Sequence, residues 1–252
     1  CKDSHGLPKI TSTMLTLLVL SLMTMQVEIT APSKLPVWKS FVEAHQVNEQ
    51  SVPLFELQEG NVVVINYGAN NRKVLKRSDE MEQHLRKLGT QLIAEHKEGK
   101  SVHDGILYMM LAREGETLVP LYIGKAETFG KGDRNLSANI RDLANGTAMF
   151  GRWGYNYAYH IGDLSAVTLS GHPDTKASIK YKAWRDKLFS VENDVVKPKT
   201  ELLFWAKLWG PECQSIWKEY GTTKLAFEEY LVIGVASDVF PQHLLNREGR
   251  TR

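Results

Sequence analysis

From Gly105 to Gly124 the chain reads GILYMMLAREGETLVPLYIG. Two apolar runs flank a polar turn, Arg113-Glu114-Gly115-Glu116, which is the pattern of a β-hairpin. Pro120 cannot donate to a strand ladder, so the second strand is expected at a sheet edge. Residues on an antiparallel pair share a face when their numbers sum to the parity set by the loop. An odd-length loop around Gly115 gives even sums, and Tyr108 and Tyr122 would then project from one face. Two tyrosines so placed are first of all a packing pair.

The regions around the hairpin carry clear periodicities. Met81, Leu85, Leu88, Leu92 and Ile93 recur at helical spacing and predict a helix over 79–97, with Asp79 and Glu82 as a cap. The β-branched run NVVVINYG predicts a strand at 61–68, followed by a second, more polar one. Residues 36–100 thus read as a small N-terminal module, locally basic through Arg72, Lys73, Lys76, Arg77, Arg86 and Lys87. That surface is either a solvated face or a phosphate-contacting one. The polar stretch EGKSVHDG marks a boundary before residue 103. Leu136, Ile140 and Leu143 predict a short helix over 135–144, ended by Asn145-Gly146. NYAYHIGDL, 156–164, reads as a third strand. TELLFWAKLW, 200–209, is strand or helix on periodicity alone. Further helices are expected at about 183–188 and 223–235.

Composition narrows the function classes. A net charge of +2 over 252 residues announces no nucleic-acid partner globally, so any basic surface must be local. Two cysteines, Cys1 and Cys213, form neither a disulfide framework nor a zinc cluster and fit a reducing, cytoplasmic setting. Residues 1–35 stand apart. Their apolar run, Met14–Met25, is shorter than the roughly 20 residues that span a bilayer and resembles a signal peptide or a fragment end. Sequons at Asn135 and Asn145 argue against secretion, because glycans would sit beside the hairpin. A Walker A loop fails on Val119 and Ala126, and no His-Glu-x-x-His, Cys-x-x-Cys, Gly-x-Ser-x-Gly or Gly-x-Gly-x-x-Gly pattern occurs.

The segments ILY, LYIGKA and, later, EEYLV and LLN together resemble the GIY-YIG endonuclease family. Tyr122-Ile123-Gly124-Lys125 carries the second motif with its GKA extension. The first motif departs, since Leu107 stands where the family has its tyrosine and Tyr108 follows. The resemblance covers about 103–164 and 223–250, and leaves 165–222 as an insert within a nuclease domain spanning 103–252. It implies an α/β (α+β) fold, a small central antiparallel sheet flanked by helices, and a metal-dependent phosphodiesterase acting on double-stranded DNA. A nucleic-acid-binding module that kept the fold and lost catalysis is the alternative.

What the family does with these positions defines the expected site. Tyr108 serves as general base and Lys125 as its activator or a phosphate contact, because a tyrosine of pKa about 10 needs a nearby cation to act as a base. Tyr122 orients water or phosphate. Glu228 supplies the oxygen ligand to one Mg²⁺ or Mn²⁺, with Glu229 as its solvated neighbour. Asn246 fixes the last turn or a tyrosine hydroxyl. The family's helix arginine falls on Asn139, which leaves Arg134 and Arg141 as equal candidates and Arg152 behind them. His160 reads as a strand histidine before it reads as a catalytic one.

Overall fold

A computed structural model describes residues 33–130, 135–141, 150 and 153–247. The chain divides into two units, Cys1–Ser33 and Lys34–Arg252. Apart from Ser33, the first lies outside the described residues, as do Arg134, Asn145 and Arg152.

In the second unit the elements run α1 (Leu35–Ala44), α2 (Val47–Gln50), β1 (Val52–Pro53), β2 (Leu57–Gln58), β3 (Asn61–Val62), β4 (Val64–Tyr67), β5 (Arg72–Leu75) and α3 (Asp79–Lys97). The hairpin β6 (Gly105–Glu114) and β7 (Thr117–Glu127) follows, then α4 (Ala138–Arg141), α5 (His160–Thr168), α6 (Ile179–Leu188), β8 (Phe189–Glu192), β9 (Val195–Pro198), β10 (Leu202–Trp209) and α7 (Leu225–Val239). The central sheet is antiparallel, ordered β1-β10-β6-β7, and helices cover both its faces.

That sheet organises two cores. Alternate residues of β6 turn to opposite sides. Ile106, Tyr108 and Met110 join α3, α5 and α6, while Leu107, Met109 and Leu111 join α1 and α7. Leu54, Val74, Met81, Leu85 and Leu92 pack into the first of these cores, so the stretch expected as a separate module at 36–100 shares its interior with the sheet.

Several elements differ from expectation for physical reasons. The helix at 79–97 has the expected span, but Ser78 caps it by accepting from the Met81 amide, and Glu82 pairs with Arg77. NYAYHIGDL gives no strand. Its first residues bend and turn, with Ala158 at φ +71°, and α5 begins at His160. The third strand beside the hairpin is β10, central and buried on both faces. The presumed insert therefore supplies the middle of the sheet. The basic residues before it are mostly engaged within the fold. Arg72 bonds Asn156 at 2.8 Å, Lys73 meets Asp194 at 2.7 Å, Lys76 meets Asp79 at 2.9 Å, and buried Arg77 donates to the Trp153 carbonyl.

The hairpin itself is closed by two residues, not an odd number, since Glu114 pairs with Thr117. Gly115 takes φ +60°, which a two-residue loop asks of glycine at its first position. Near the turn the paired numbers sum to 231. A β-bulge at Leu121 shifts the sum to 232, from Met110↔Tyr122 onward. The extra residue restores even parity, and Tyr108 and Tyr122 end on one face as diagonal neighbours.

Candidate active site

Both tyrosines line one cleft of about 570 Å³, together with Lys125, Glu127, Asn139, His160, Lys180, Glu229, Asn246 and Arg247. The cleft lies along β7, the edge strand, as Pro120 led one to expect. An edge position lets a single cleft take side chains from both faces of the sheet: Tyr122 from one side, Lys125 and Glu127 from the other.

Tyr108 is set deep. It pairs with Gly124 across the ladder and is 1% exposed. Its ring lies 6.0 Å from Phe204, stacked, and 5.9 Å from Trp153, edge on. The ring crosses over Gly124 so closely that a Cβ there would come within 2.7 Å of the Tyr108 hydroxyl. The glycine of the LYIG run is therefore a space requirement of the tyrosine opposite it.

Tyr122 is half-buried against an aromatic wall. Its ring is 4.9 Å from His160 and 5.0 Å from Trp184. His160, at the start of α5, contacts Trp153 at 4.9 Å and stacks on Trp184 at 5.2 Å. Its Nδ1 and the Tyr181 hydroxyl are 2.7 Å apart. The expected strand histidine is thus a helix residue facing the cleft.

The charged residues separate into two groups. Lys125 reaches the cleft but its Nζ donates to Glu127 Oε1 at 2.6 Å, so a carboxylate already balances it. Glu228, expected to hold the metal, points away. It is fully buried and accepts from the Ile216 amide at 2.7 Å and the Thr223 hydroxyl at 2.6 Å, fixing the loop before α7. Glu229, one residue or about 100° further around the helix, is the one that lines the cleft. Arg141 is exposed on α4 and is not among the lining residues, and Arg134 lies outside the described ones. Arg247 and Lys180 are further lining cations. Lys180 belongs to a lysine-rich stretch whose sequence suits a backbone contact and a solvated helix equally, whereas nothing but its placement would have found Arg247.

Asn246 has a definite structural task. Its Oδ1 accepts from the Ile123 amide at 2.9 Å and its Nδ2 donates to the Ile123 carbonyl at 2.8 Å. The Leu245 amide donates to the carbonyl of Leu121, the bulge residue. Residues 245–246 therefore satisfy the open edge of β7 at Leu121 and Ile123, on either side of Tyr122 and beside the bulge.

No helix among the described residues is long and apolar enough to cross a membrane. No family model matches the chain, and neither the curated proteins nor the solved structures contain a match.

Proposed function

We propose that the protein is a metal-dependent endonuclease of GIY-YIG type, hydrolysing phosphodiester bonds in double-stranded DNA. The observation that carries the reading is the pair Tyr108 and Tyr122, on one sheet face, in a cleft shared with Lys125, Glu229 and Asn246. Among the described residues no three His, Cys, Asp or Glu side chains gather to cage a metal. Magnesium needs less, one or two carboxylates completed by waters and substrate oxygens, and Glu229 fits that donor set. A divalent ion held there would neutralise charge on the phosphate.

The chain's own residues divide the remaining work. As the phenolate, its own proton given up to solvent, Tyr108 takes the proton of the attacking water, and Tyr122 orients that water against the phosphate. The leaving oxygen departs with the electron pair of the broken P–O bond and takes a proton from solvent, and Asn246 holds the backbone between the two tyrosines. Lys125, tied to Glu127, is a poorer activator than spacing alone implies.

A second reading, a binding module without catalysis, draws on one observation: at 1% exposure, with Trp153 and Phe204 about it, Tyr108 is a deeply set base. Incubation with supercoiled, branched and single-stranded substrates, with and without Mg²⁺, separates the two. The endonuclease reading expects Mg²⁺-dependent cleavage that Glu229→Gln abolishes while binding persists. Salt-dependent binding without cleavage of any substrate supports the second reading, and absence of binding removes both.

A further inference from the structure

We propose that Lys180 is a substrate-binding residue that grips a backbone phosphate in the cleft, an assignment that rests on the nucleic-acid reading above. Lys180 is the second residue of α6, whose first turn is fixed by Ser178 accepting from the Tyr181 amide. Its Nζ stands over three rings at once: 5.0 Å from Trp184, 5.1 Å from Tyr181 and 5.2 Å from Tyr122. The platform cannot drift. Trp184 is 1% exposed and stacked on His160, and the Tyr181 hydroxyl is bonded to His160 Nδ1.

A lysine ordinarily loses much rotamer freedom when it binds a ligand. Here the rings have already restricted that freedom. Ring faces attract an ammonium through their quadrupoles and so hold it in place. The site is therefore a preorganised ammonium beside Tyr122, at the cleft wall, which suits a phosphate oxygen.

The same geometry limits what α6 can read. Tyr181 and Trp184 are buried, so neither can stack on a base. The contact that α6 offers is a charge to the backbone, independent of sequence.

The test is binding of two unrelated labelled duplexes to the full chain in EDTA across about 50–200 mM salt. Removing one phosphate neutralisation lowers the salt slope by about 0.9, so over that fourfold range the parent's affinity should fall about 3.5-fold more than that of Lys180→Met. The loss should be equal on both duplexes, Lys180→Arg should keep the parent slope, and thermal melting should show both variants folded. In the unmutated protein, bound duplex should shield Lys180 from acetylation, a readout that stands if Lys180→Met does not fold. Parent-like slope and affinity in Lys180→Met, loss on one duplex only, or undiminished acetylation would overturn the assignment while leaving the nucleic-acid reading intact. A parent chain that binds neither duplex at any salt overturns that reading, and this assignment with it.

Discussion

Replacing Gly124 by alanine tests the geometry on which the whole site depends. The Gly124 backbone is ordinary strand, so alanine meets no conformational obstacle there; the conflict is with one side chain. The new Cβ would lie 2.7 Å from the Tyr108 hydroxyl and 2.8 Å from both Cε2 and Cζ. Reaching ordinary contact requires the ring end to retreat by about 0.7–1 Å. It has little room, being buried beside Trp153 and Phe204. Overpacking of this kind costs about 1–3 kcal/mol, offset by about 0.4–1 kcal/mol from the reduced freedom of the unfolded chain. A net loss of about 1–2 kcal/mol lowers Tm by about 2–8 °C in a unit of this size. Calorimetry checks the value, and a second substitution checks its origin. Tyr108→Phe removes only the hydroxyl and leaves two of the three close approaches, so the alanine penalty should persist in that background. Tyr108→Leu removes all three, and there the penalty should vanish. Nuclease activity should fall by about 10², because the base is moved rather than removed. A Gly124→Ala protein as stable and active as the parent, or one rescued fully by Tyr108→Phe, would refute the close approach of ring to strand.

Three further outcomes are expected. Tyr108→Phe keeps the ring packing, and cleavage should fall by at least about 10², the loss typical of a general base; normal cleavage would take Tyr108 out of the chemistry. Glu228→Gln should lower stability by about 1–3 kcal/mol in urea unfolding, because one buried acceptor facing the Ile216 amide or the Thr223 hydroxyl is weakened or reversed. Buried His45 has its pKa lowered from 6.5 to about 4, chiefly by desolvation and slightly by Lys207, against the opposing effect of its bond to the Gln214 carbonyl. The unfolded chain therefore binds a proton at higher pH than the folded one, and stability should fall as pH drops from 6.5 towards 4, by on the order of 3 kcal/mol. That part of the pH profile should disappear in His45→Gln.

How far the sequence could be read depends on where each element is buried. The helix at 79–97 has one wet face, so its apolar stripe is visible and its span emerges correctly. Helix α5 is buried on nearly every side, from His160 to Thr168, with Asp163 its partly exposed residue. A helix without a polar face has no stripe, and the aromatic residues before it suggested a strand instead. Strand β10 hides for the same reason, because it is covered on both faces and shows no alternation. An odd-length loop predicts the tyrosine pair on one face; the loop has two residues, and the pair shares a face only because of the bulge. The bulge at Leu121 supplies the missing residue, and the Leu121 carbonyl is taken by Leu245 from the far end of the unit. No local pattern contains that partner. The different placements of Glu228 and Glu229 are equally absent from any local pattern. Adjacent helical residues differ by about 100° in direction, and only the docking of α7 on the sheet decides which carboxylate closes the buried loop and which meets the cleft. Spacing along a chain can nominate residue types for a site, but at an edge strand the side chains arrive from both faces of the sheet, so tertiary packing selects among them.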